Sequence, residues 1–253
     1  MSSRTTPSLP PPDPTQRIVA EQERLAGQMT LLEHLEEMRD RIIKTAIAVI
    51  IATLIVAAFT NQILQILIAP YGQKLQVLSP TEGISIYFRV ALTGGLVLAM
   101  PVIIYHILMF ILPGLNESEK LYIRWGVPAA TLLFLIGVAF AWFIMIPAAI
   151  GFLSTWQTDV FIQEWQSQKY IPFVTSLIFW IGISFETPLI IFIMAKVGLV
   201  TPQFLLQNWR FAVILIAIAA AMITPTVDPF NMALVMLPLT VLYGLSILLA
   251  YLA

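Results

Sequence analysis

Long apolar stretches, separated by short polar segments, make up most of the chain beyond residue 41. An α-helix needs about 20 apolar residues to cross roughly 30 Å of hydrocarbon. Dividing the chain at its charged and turn residues leaves six stretches of this kind, at about 42–59, 84–112, 127–153, 171–197, 211–223 and 230–249. The pattern therefore predicts an all-α membrane protein with six transmembrane helices.

The fifth stretch is short. Residues 211–223 reach only about 20 Å at roughly 1.5 Å per residue, which is less than the hydrocarbon thickness. Two interpretations remain open: other protein or a thinned bilayer covers the gap, or the helix extends back through Trp209 and Asn208. The segment 224–229 contains two prolines and an Asp, so we expect a turn that makes a hairpin of the last two helices.

The composition is that of a chain embedded mostly in lipid. Hydrophobic residues make up 59% and charged residues 11%, whereas soluble domains carry about a quarter charged residues. The net charge of −1 provides no basic field for nucleic acid. The absence of cysteine excludes disulfides, thiolate metal sites and thiol nucleophiles. No apolar stretch precedes residue 42, so no cleavable signal peptide is expected.

The positions of Lys and Arg predict how the helices are oriented. One side of the predicted bundle holds only Lys74, Arg89 and Lys169. The other side holds the remaining ten: Arg4, Arg17, Arg24, Arg39, Arg41, Lys44, Lys120, Arg124, Lys196 and Arg210. Because Lys and Arg concentrate in cytoplasmic loops, we expect both termini to lie in the cytoplasm. The expected location is the cell membrane, or the thylakoid membrane in a phototroph.

The first residues differ in composition from the rest. Residues 1–15 contain five prolines and few large apolar side chains, which is typical of disordered segments. We therefore expect residues 1–28 to be a disordered, proline-rich cytoplasmic tail and residues 29–253 to form the membrane domain.

An amphipathic helix is predicted just before the first span. Thr30 and Glu33 have the spacing of a capping box, which starts a helix. Helical periodicity places one acidic stripe on this helix, made of Glu33, Glu36, Glu37 and Asp40, opposite the apolar Leu31, Leu35, Met38 and Ile42. Either this stripe is a solvated surface or it attracts a cationic partner, since an anionic leaflet repels carboxylates.

Glu186 lies inside the fourth apolar stretch, two residues before Pro188. A charge in the middle of the membrane costs about 2.5–3.5 kcal/mol on insertion scales, so such residues usually face a cavity, a partner or a substrate. The alternative is a neutral Glu hydrogen-bonded to backbone that Pro188 frees. Both interpretations make Glu186 a candidate polar site within the membrane.

The sequence lacks the patterns of catalytic and metal sites. The segment 34–37 reads HLEE, which does not have the HExxH spacing needed for zinc. His106 lies in the second stretch and is more typical of a packed residue than of a ligand. No pair of intramembrane aspartates, no serine elbow and no P-loop is present. We therefore expect no enzyme activity, no metal and no cofactor.

Five motifs lie in order along residues 30–243. They are HLEEMRDR at 34–41; SPTEGISI at 79–86; MPVIIY at 100–105 with FILPGL at 110–115 and Glu119; FETP at 185–188; and RF at 210–211 with the 224–229 turn, LPL at 237–239 and LY at 242–243. In this order and topology they resemble the TatC family, the polytopic receptor subunits of the twin-arginine protein translocase.

The resemblance implies a glove-shaped, six-helix protein without chemistry of its own. Such a protein binds twin-arginine signal peptides of folded cargo and mediates their transport, driven by the proton-motive force. The implied partners are the bilayer and TatA- and TatB-like single-span proteins, in an oligomeric complex.

The resemblance also assigns residues to these roles. It places signal-peptide binding at Glu37, Arg39, Glu119 and Lys120, and a polar site on the concave side at Glu186. It places docking of partner helices on the final hairpin, at Thr224, Asp228 and Met232. The assignment of carboxylates is physically sensible, because bidentate Arg–carboxylate pairs are strong and geometrically selective.

The chain departs from the family pattern at four positions. Lys120 stands where the family often has Arg, and Asn116 where it often has Tyr. Met232 replaces a typical Gln, and Gly244 replaces the Glu of the usual LYE. The last two departures weaken any transfer of polar partner contacts along the sixth helix.

Two other functions fit six apolar helices. An ion-coupled transporter of small molecules would use Glu186 as its proton site, but such folds usually show internal pseudo-symmetry and discontinuous helices, and neither is evident. An intramembrane protease would need a nucleophile and a base, and the sequence shows no such pair.

Overall fold

The computed structural model describes residues 31–111, 120–156, 164–224 and 228–253. The predicted tail 1–28 and Glu119 lie outside these ranges. The chain forms two compact units, 1–44 and 45–253. The helices are α1 Leu31–Ala58, α2 Thr60–Ile68, α3 Glu82–Ile111, α4 Lys120–Phe140, a π-helical segment Ala141–Met145, α5 Ile146–Thr155, α6 Ser167–Ser184, α7 Thr187–Lys196, α8 Pro202–Gln207, α9 Trp209–Ile223 and α10 Pro229–Leu252.

The predicted all-α architecture is confirmed. Among the described residues, five helical stretches are long and apolar enough to cross a membrane: Leu35–Ala58, Glu82–Phe110, Trp125–Thr155, Ser167–Lys196 and Pro229–Leu252. The shorter apolar helix α9 lies where the fifth span was predicted. In the described ranges, strand-like pairing is limited to one parallel bridge, between Gln76 and Gln166.

The amphipathic segment and the first span form one helix, α1, rather than two. No glycine or proline occurs in Leu31–Ala58, so nothing in the local sequence interrupts the helix. Thr30, the predicted cap, lies outside the described residues.

Irregular backbone interrupts the third and fourth spans. The third span passes through the π-helical segment into α5, which has Pro147 in its first turn. The fourth span turns at Phe185 and Glu186 before Pro188 opens α7. Proline has no N–H to donate and favours the first helical turn, so Pro147 and Pro188 both suit the start of a new helix.

Helix α6 occupies the centre of the core of residues 45–253. It packs against α3, α4 and the π-helical segment, and its Ile171, Val174, Leu177 and Ile181 are almost completely buried. At the crossing of α4 and α6, a Cβ added to Gly137 would lie 2.9 Å from Gly182 Cα. Small residues of this kind let helix backbones approach closely inside membranes.

A polar clasp joins the segment before α3 to the start of α6. The buried Glu82 accepts four hydrogen bonds. They come from Leu78 N at 2.9 Å and Ser79 N at 3.2 Å to Oε2, and from Gln168 N at 2.8 Å and Ser167 Oγ at 2.5 Å to Oε1. A carboxylate that receives four donors is fully satisfied in a buried site.

The last two helices form the predicted hairpin. Helix α9 begins at Trp209, and Asn208 is its N-cap. The helix therefore extends back through Arg210 to Trp209, as one of the two interpretations predicted. It does not include Asn208. Tyr243 of α10 donates to the carbonyl of Leu205 in α8 at 2.7 Å, which holds α8 as a separate short helix.

Candidate functional site

Glu37, the predicted signal-binding carboxylate of α1, is already bound to a guanidinium. Arg41 Nε donates to Glu37 Oε1 at 2.9 Å, and Arg41 Nη2 donates to the same oxygen. Both side chains are mostly buried, with 21% of Glu37 and 18% of Arg41 exposed. Residues four apart lie above one another on a helix surface, so this pair is built into the local sequence.

Arg39, the second predicted residue of α1, lies in a different environment. Its side chain is 71% exposed and its Nη2 lies 3.3 Å from Asp40 Oδ1. A contact between adjacent, exposed side chains contributes little to stability. Arg39 is therefore presented to the surroundings rather than fixed by the fold.

The structure describes the side chains of two of the four predicted signal-binding residues, Glu37 and Arg39. Glu119 lies outside the described residues, and Lys120 opens α4 in a part of the helix whose side chains are not described. Arg41 was absent from the predicted set although it contacts Glu37 directly. The i,i+4 spacing of Glu37 and Arg41 is the sequence signal that could have identified it.

Glu186 is buried at the break between α6 and α7. The residue is only 8% exposed, and its Oε1 has no hydrogen-bond partner among the described residues. The break also holds Phe185, whose ring lies 5.4 Å from that of Phe140. The absence of a bond to Oε1 gives no support to the interpretation in which backbone freed by Pro188 binds that atom. A buried, unsatisfied carboxyl oxygen costs free energy, which favours a functional reason for Glu186.

The predicted docking residues take part mainly in the hairpin's own structure. Thr224 is buried, and its Oγ1 donates to the carbonyl of Ala220 at 2.7 Å. Asp228 caps α10 by accepting from Asn231 N at 2.7 Å. Met232 is half-buried and packs against the core.

An apolar stripe on α9 is exposed instead. It consists of Phe211, Ile214, Leu215, Ile218 and Met222. These residues follow the i, i+3, i+4, i+7 spacing of one helix face, so the sequence pattern contained this stripe, although the predicted set did not include it.

The described ranges offer little for catalysis or metal binding. No group of three or more His, Cys, Asp or Glu residues within them is placed to hold a metal ion. His106 is half-buried, with its ring 5.2 Å from that of Tyr105.

Comparison with known proteins identifies the family. Residues 33–238 match the family model described as "Sec-independent protein translocase protein (TatC)". The chain belongs to the TatC family. The matched range runs from the acidic end of α1 into α10 and so includes Glu37, Arg41 and Glu186.

Curated TatC proteins from distant sources are similar to this chain. The protein of Helicobacter pylori strain 26695 is 36% identical over 220 residues, which cover 87% of each chain. The TatC of Deinococcus radiodurans is 35% identical and covers 96% of this chain and 92% of its own length. The chloroplastic TATC of Arabidopsis thaliana is 36% identical over 85% of this chain and 64% of its own.

A solved structure has the same fold. The crystal structure of the twin-arginine translocase receptor TatC superposes with a TM-score of 0.80 at 34% identity. The match covers 87% of this chain and 99% of that one.

Family membership decides among the predicted functions. The chain is a multi-pass membrane component of the Sec-independent protein translocase, a transport subunit and not a catalytic enzyme. It therefore works in a complex with other subunits of that translocase. The interpretations as a small-molecule transporter and as an intramembrane protease are both wrong.

Proposed function

We propose that this chain is the receptor for twin-arginine signal peptides, and that Glu37 binds one guanidinium of the arginine pair. The observation that carries the proposal is the contact of Glu37 with Arg41, at 2.9 Å from Nε. A guanidinium of the same chain therefore already binds this carboxylate, and the arginine of a signal peptide carries the same group. Charge-assisted pairs of this kind are stronger and more selective than neutral hydrogen bonds.

The remaining predicted residues complete the proposed site. Glu119 takes the second guanidinium, with Arg39 and Lys120 beside it, and the apolar segment of the signal peptide enters the lipid. Both termini face the cytoplasm, where the signal peptide arrives. Support for this orientation comes from the distribution of Lys and Arg along the sequence.

Arg41 has a specific role in this proposal. It holds the Glu37 carboxylate in place while no peptide is bound, which avoids a buried charge without a partner. The incoming guanidinium then displaces Arg41, so the peptide replaces an existing contact rather than filling an empty site.

The experiment varies both the signal peptide and the carboxylate of the receptor that is proposed to bind it. The purified chain is titrated with a fluorescent twin-arginine signal peptide and with its twin-lysine version. We expect the wild type to prefer the twin-arginine peptide and Glu37→Gln to lose most of that preference, since lysine lacks the planar bidentate fork. Glu36→Gln is the matched control, because Glu36 is the exposed carboxylate next to Glu37.

Equal binding of the two peptides by the wild type would refute the receptor function. A preserved preference in Glu37→Gln would refute only the assignment of Glu37.

The proposed partners are TatA- and TatB-like single-span helices, which dock on the final hairpin. The exposed apolar stripe of α9 supports this site, since a helix face of this kind buries well against a second apolar helix. Thr224, Asp228 and Met232 then shape the hairpin that presents the stripe. Glu186, with its unsatisfied oxygen, provides a polar contact within the membrane for the signal peptide or a partner helix.

A further inference from the structure

Arg89 is an exposed cation inside an apolar span. It lies on α3 within the span Glu82–Phe110, and its side chain is exposed. Its neighbours on the same surface are large apolar side chains: Phe88 is 67% exposed, and Ile84 and Leu92 are also exposed. Within the described part of the chain, no hydrogen bond or ion pair reaches Arg89.

The depth of Arg89 places its guanidinium near one membrane surface. Helix α3 has 30 residues and is therefore about 45 Å long, roughly 15 Å longer than the hydrocarbon is thick. Arg89 lies seven residues from Glu82, about 10 Å along the axis. If the excess length is shared between the two ends, the Arg89 backbone lies only a few ångströms inside the hydrocarbon.

The direction of a helical side chain completes this geometry. Side chains on an α-helix lean towards its N-terminus, which here is the nearer membrane surface. A long Arg side chain can therefore extend along α3 and place its charge at the headgroup level.

Among the described residues, no carboxylate pairs with this guanidinium. The nearest acidic residue along this part of α3 is Glu82, which is buried and already receives four hydrogen bonds. Ser85 and Thr81, which lie one and two turns before Arg89, are polar and exposed. Ser85 Oγ donates its proton to the carbonyl of Thr81 at 3.1 Å, so this proton is already in use. The Arg89 guanidinium is therefore the charged donor on this surface.

We propose that Arg89 binds the phosphate of an anionic membrane phospholipid. The guanidinium donates to the phosphate oxygens, a geometry for which its planar fork is suited. Ser85 and Thr81 keep the helix surface polar from the phosphate up to the headgroup. The acyl chains of the lipid lie along Phe88 and Leu92.

Lipid is the occupant that the surroundings favour. Phe88 and Leu92, which flank Arg89 within the apolar span, are exposed, so a ligand here must offer hydrocarbon and an anion together. A phospholipid carries both groups in the required order. The site does not depend on signal-peptide binding, so the failure of either proposal leaves the other standing.

The experiment measures lipid retained by the purified full chain. The protein in detergent is titrated with phosphatidylglycerol and, separately, with phosphatidylcholine, and bound lipid is counted by native mass spectrometry. We expect Arg89→Gln to bind phosphatidylglycerol at least about threefold more weakly than the wild type. Arg89→Lys should bind it with an intermediate affinity. Lys169→Gln is the matched control, because Lys169 is an exposed cation at the Glu82 end of the helices, and its affinity should match that of the wild type.

A second measurement locates the lipid. In nanodiscs, a phosphatidylglycerol with a photoreactive acyl chain should label residues 88–92 in the wild type and label them several-fold less in Arg89→Gln. Thermal unfolding of each variant shows that the fold is retained.

Three results would overturn the proposal. The first is equal lipid binding and labelling by Arg89→Gln and the wild type. The second is displacement of the lipid by millimolar inorganic phosphate, which would make the site one for free phosphate. The third is an ion pair between Arg89 and an acidic residue of a partner subunit, with no lipid bound at Arg89.

Discussion

Charged residues in apolar surroundings have different environments in this protein. Glu37 is bound to a guanidinium of its own helix, Glu82 is saturated by four donors, and Glu186 is buried with an oxygen that has no described partner. Arg89 is exposed. Each environment sets what the residue can do: a saturated carboxylate stabilises the fold, whereas a displaceable pair or an unsatisfied oxygen leaves interactions available to a ligand.

The first prediction concerns the competition between Arg41 and the signal peptide. Arg41→Gln removes the internal guanidinium from Glu37, so the twin-arginine peptide no longer has to displace it. An i,i+4 ion pair contributes about 0.3–1 kcal/mol, which corresponds to a roughly two- to fivefold gain in peptide affinity. The measurement is a fluorescence titration with the twin-arginine peptide.

The control for this prediction is Arg39→Gln, which alters the exposed neighbouring arginine and leaves the Glu37 pair intact. A loss of affinity in Arg41→Gln would instead mean that Arg41 orients Glu37 for binding.

The second prediction concerns the desolvation penalty of the buried Glu186 carboxyl group. Replacing a buried unsatisfied carboxyl by an apolar side chain of similar size removes a desolvation penalty. We expect Glu186→Met to unfold at the same temperature as the wild type or a higher one, and yet to impair export of a twin-arginine reporter. Scanning fluorimetry and an export assay in cells measure the two quantities.

Ile181→Ala serves as the reference for simple damage to the core, since Ile181 is completely buried; it should lower the unfolding temperature. Normal export by Glu186→Met would remove the functional role of Glu186.

At the scale of the helices, close approach of backbones determines which spans are neighbours. A Cβ at Gly95 of α3 would lie 2.6 Å from Thr53 Cα and 2.7 Å from Thr53 N in α1. Neither atom belongs to a flexible side chain, so the helices would have to separate. The sequence shows Gly94-Gly95 as a weak point in a helix, but only the packing shows why glycine is needed there.

The third prediction tests this helix contact. Gly95→Ala should destabilise the protein by about 1–3 kcal/mol, the usual cost of overpacking, and unfolding in a denaturing detergent measures the change. Gly244→Ala is the matched control on α10, because a Cβ at Gly244 meets nothing within 4 Å. That variant should be as stable as the wild type or slightly more so. Equal effects of the two substitutions would show that the α1–α3 contact does not limit stability.

At the scale of the whole molecule, the described helices leave some apolar surface covered and some exposed. Helix α6 is enclosed by α3, α4 and the π-helical segment, whereas the stripe on α9 is open. The proposed docking of single-span helices requires an open apolar surface, and α9 provides one next to the hairpin turn.

The fourth prediction concerns this assembly. A cysteine at Met222, which is 76% exposed, should crosslink under oxidation to a cysteine in the span of a TatA- or TatB-like partner. A cysteine at the adjacent Ile223, which is 5% exposed, should not. The chain has no other cysteine, so each product reports one position. Equal crosslinking at both positions, or at neither, would count against docking on this face.

The family and the apolar helices were predictable from the sequence, because they depend on local properties. Apolar runs set the positions of the long spans, and prolines such as Pro188 set the breaks. The contact of Glu37 with Arg41 was also readable, since residues four apart meet on any α-helix. The predicted docking residue Thr224, by contrast, turned out to be buried, because its exposure depends on which neighbours cover it.

Local sequence sets where the chain enters helices, how long each apolar segment is and which motifs it shares with TatC proteins, since hydrophobic periodicity and proline chemistry act within a few residues. The binding of Glu82 to Ser167 and Gln168, about 85 residues away along the chain, is visible only in the folded protein. The same is true of the burial of Glu186 and the exposure of Arg89, although both lie in apolar spans. The physical reason is that burial depends on which helix faces meet, and those faces are chosen by packing between segments far apart in sequence.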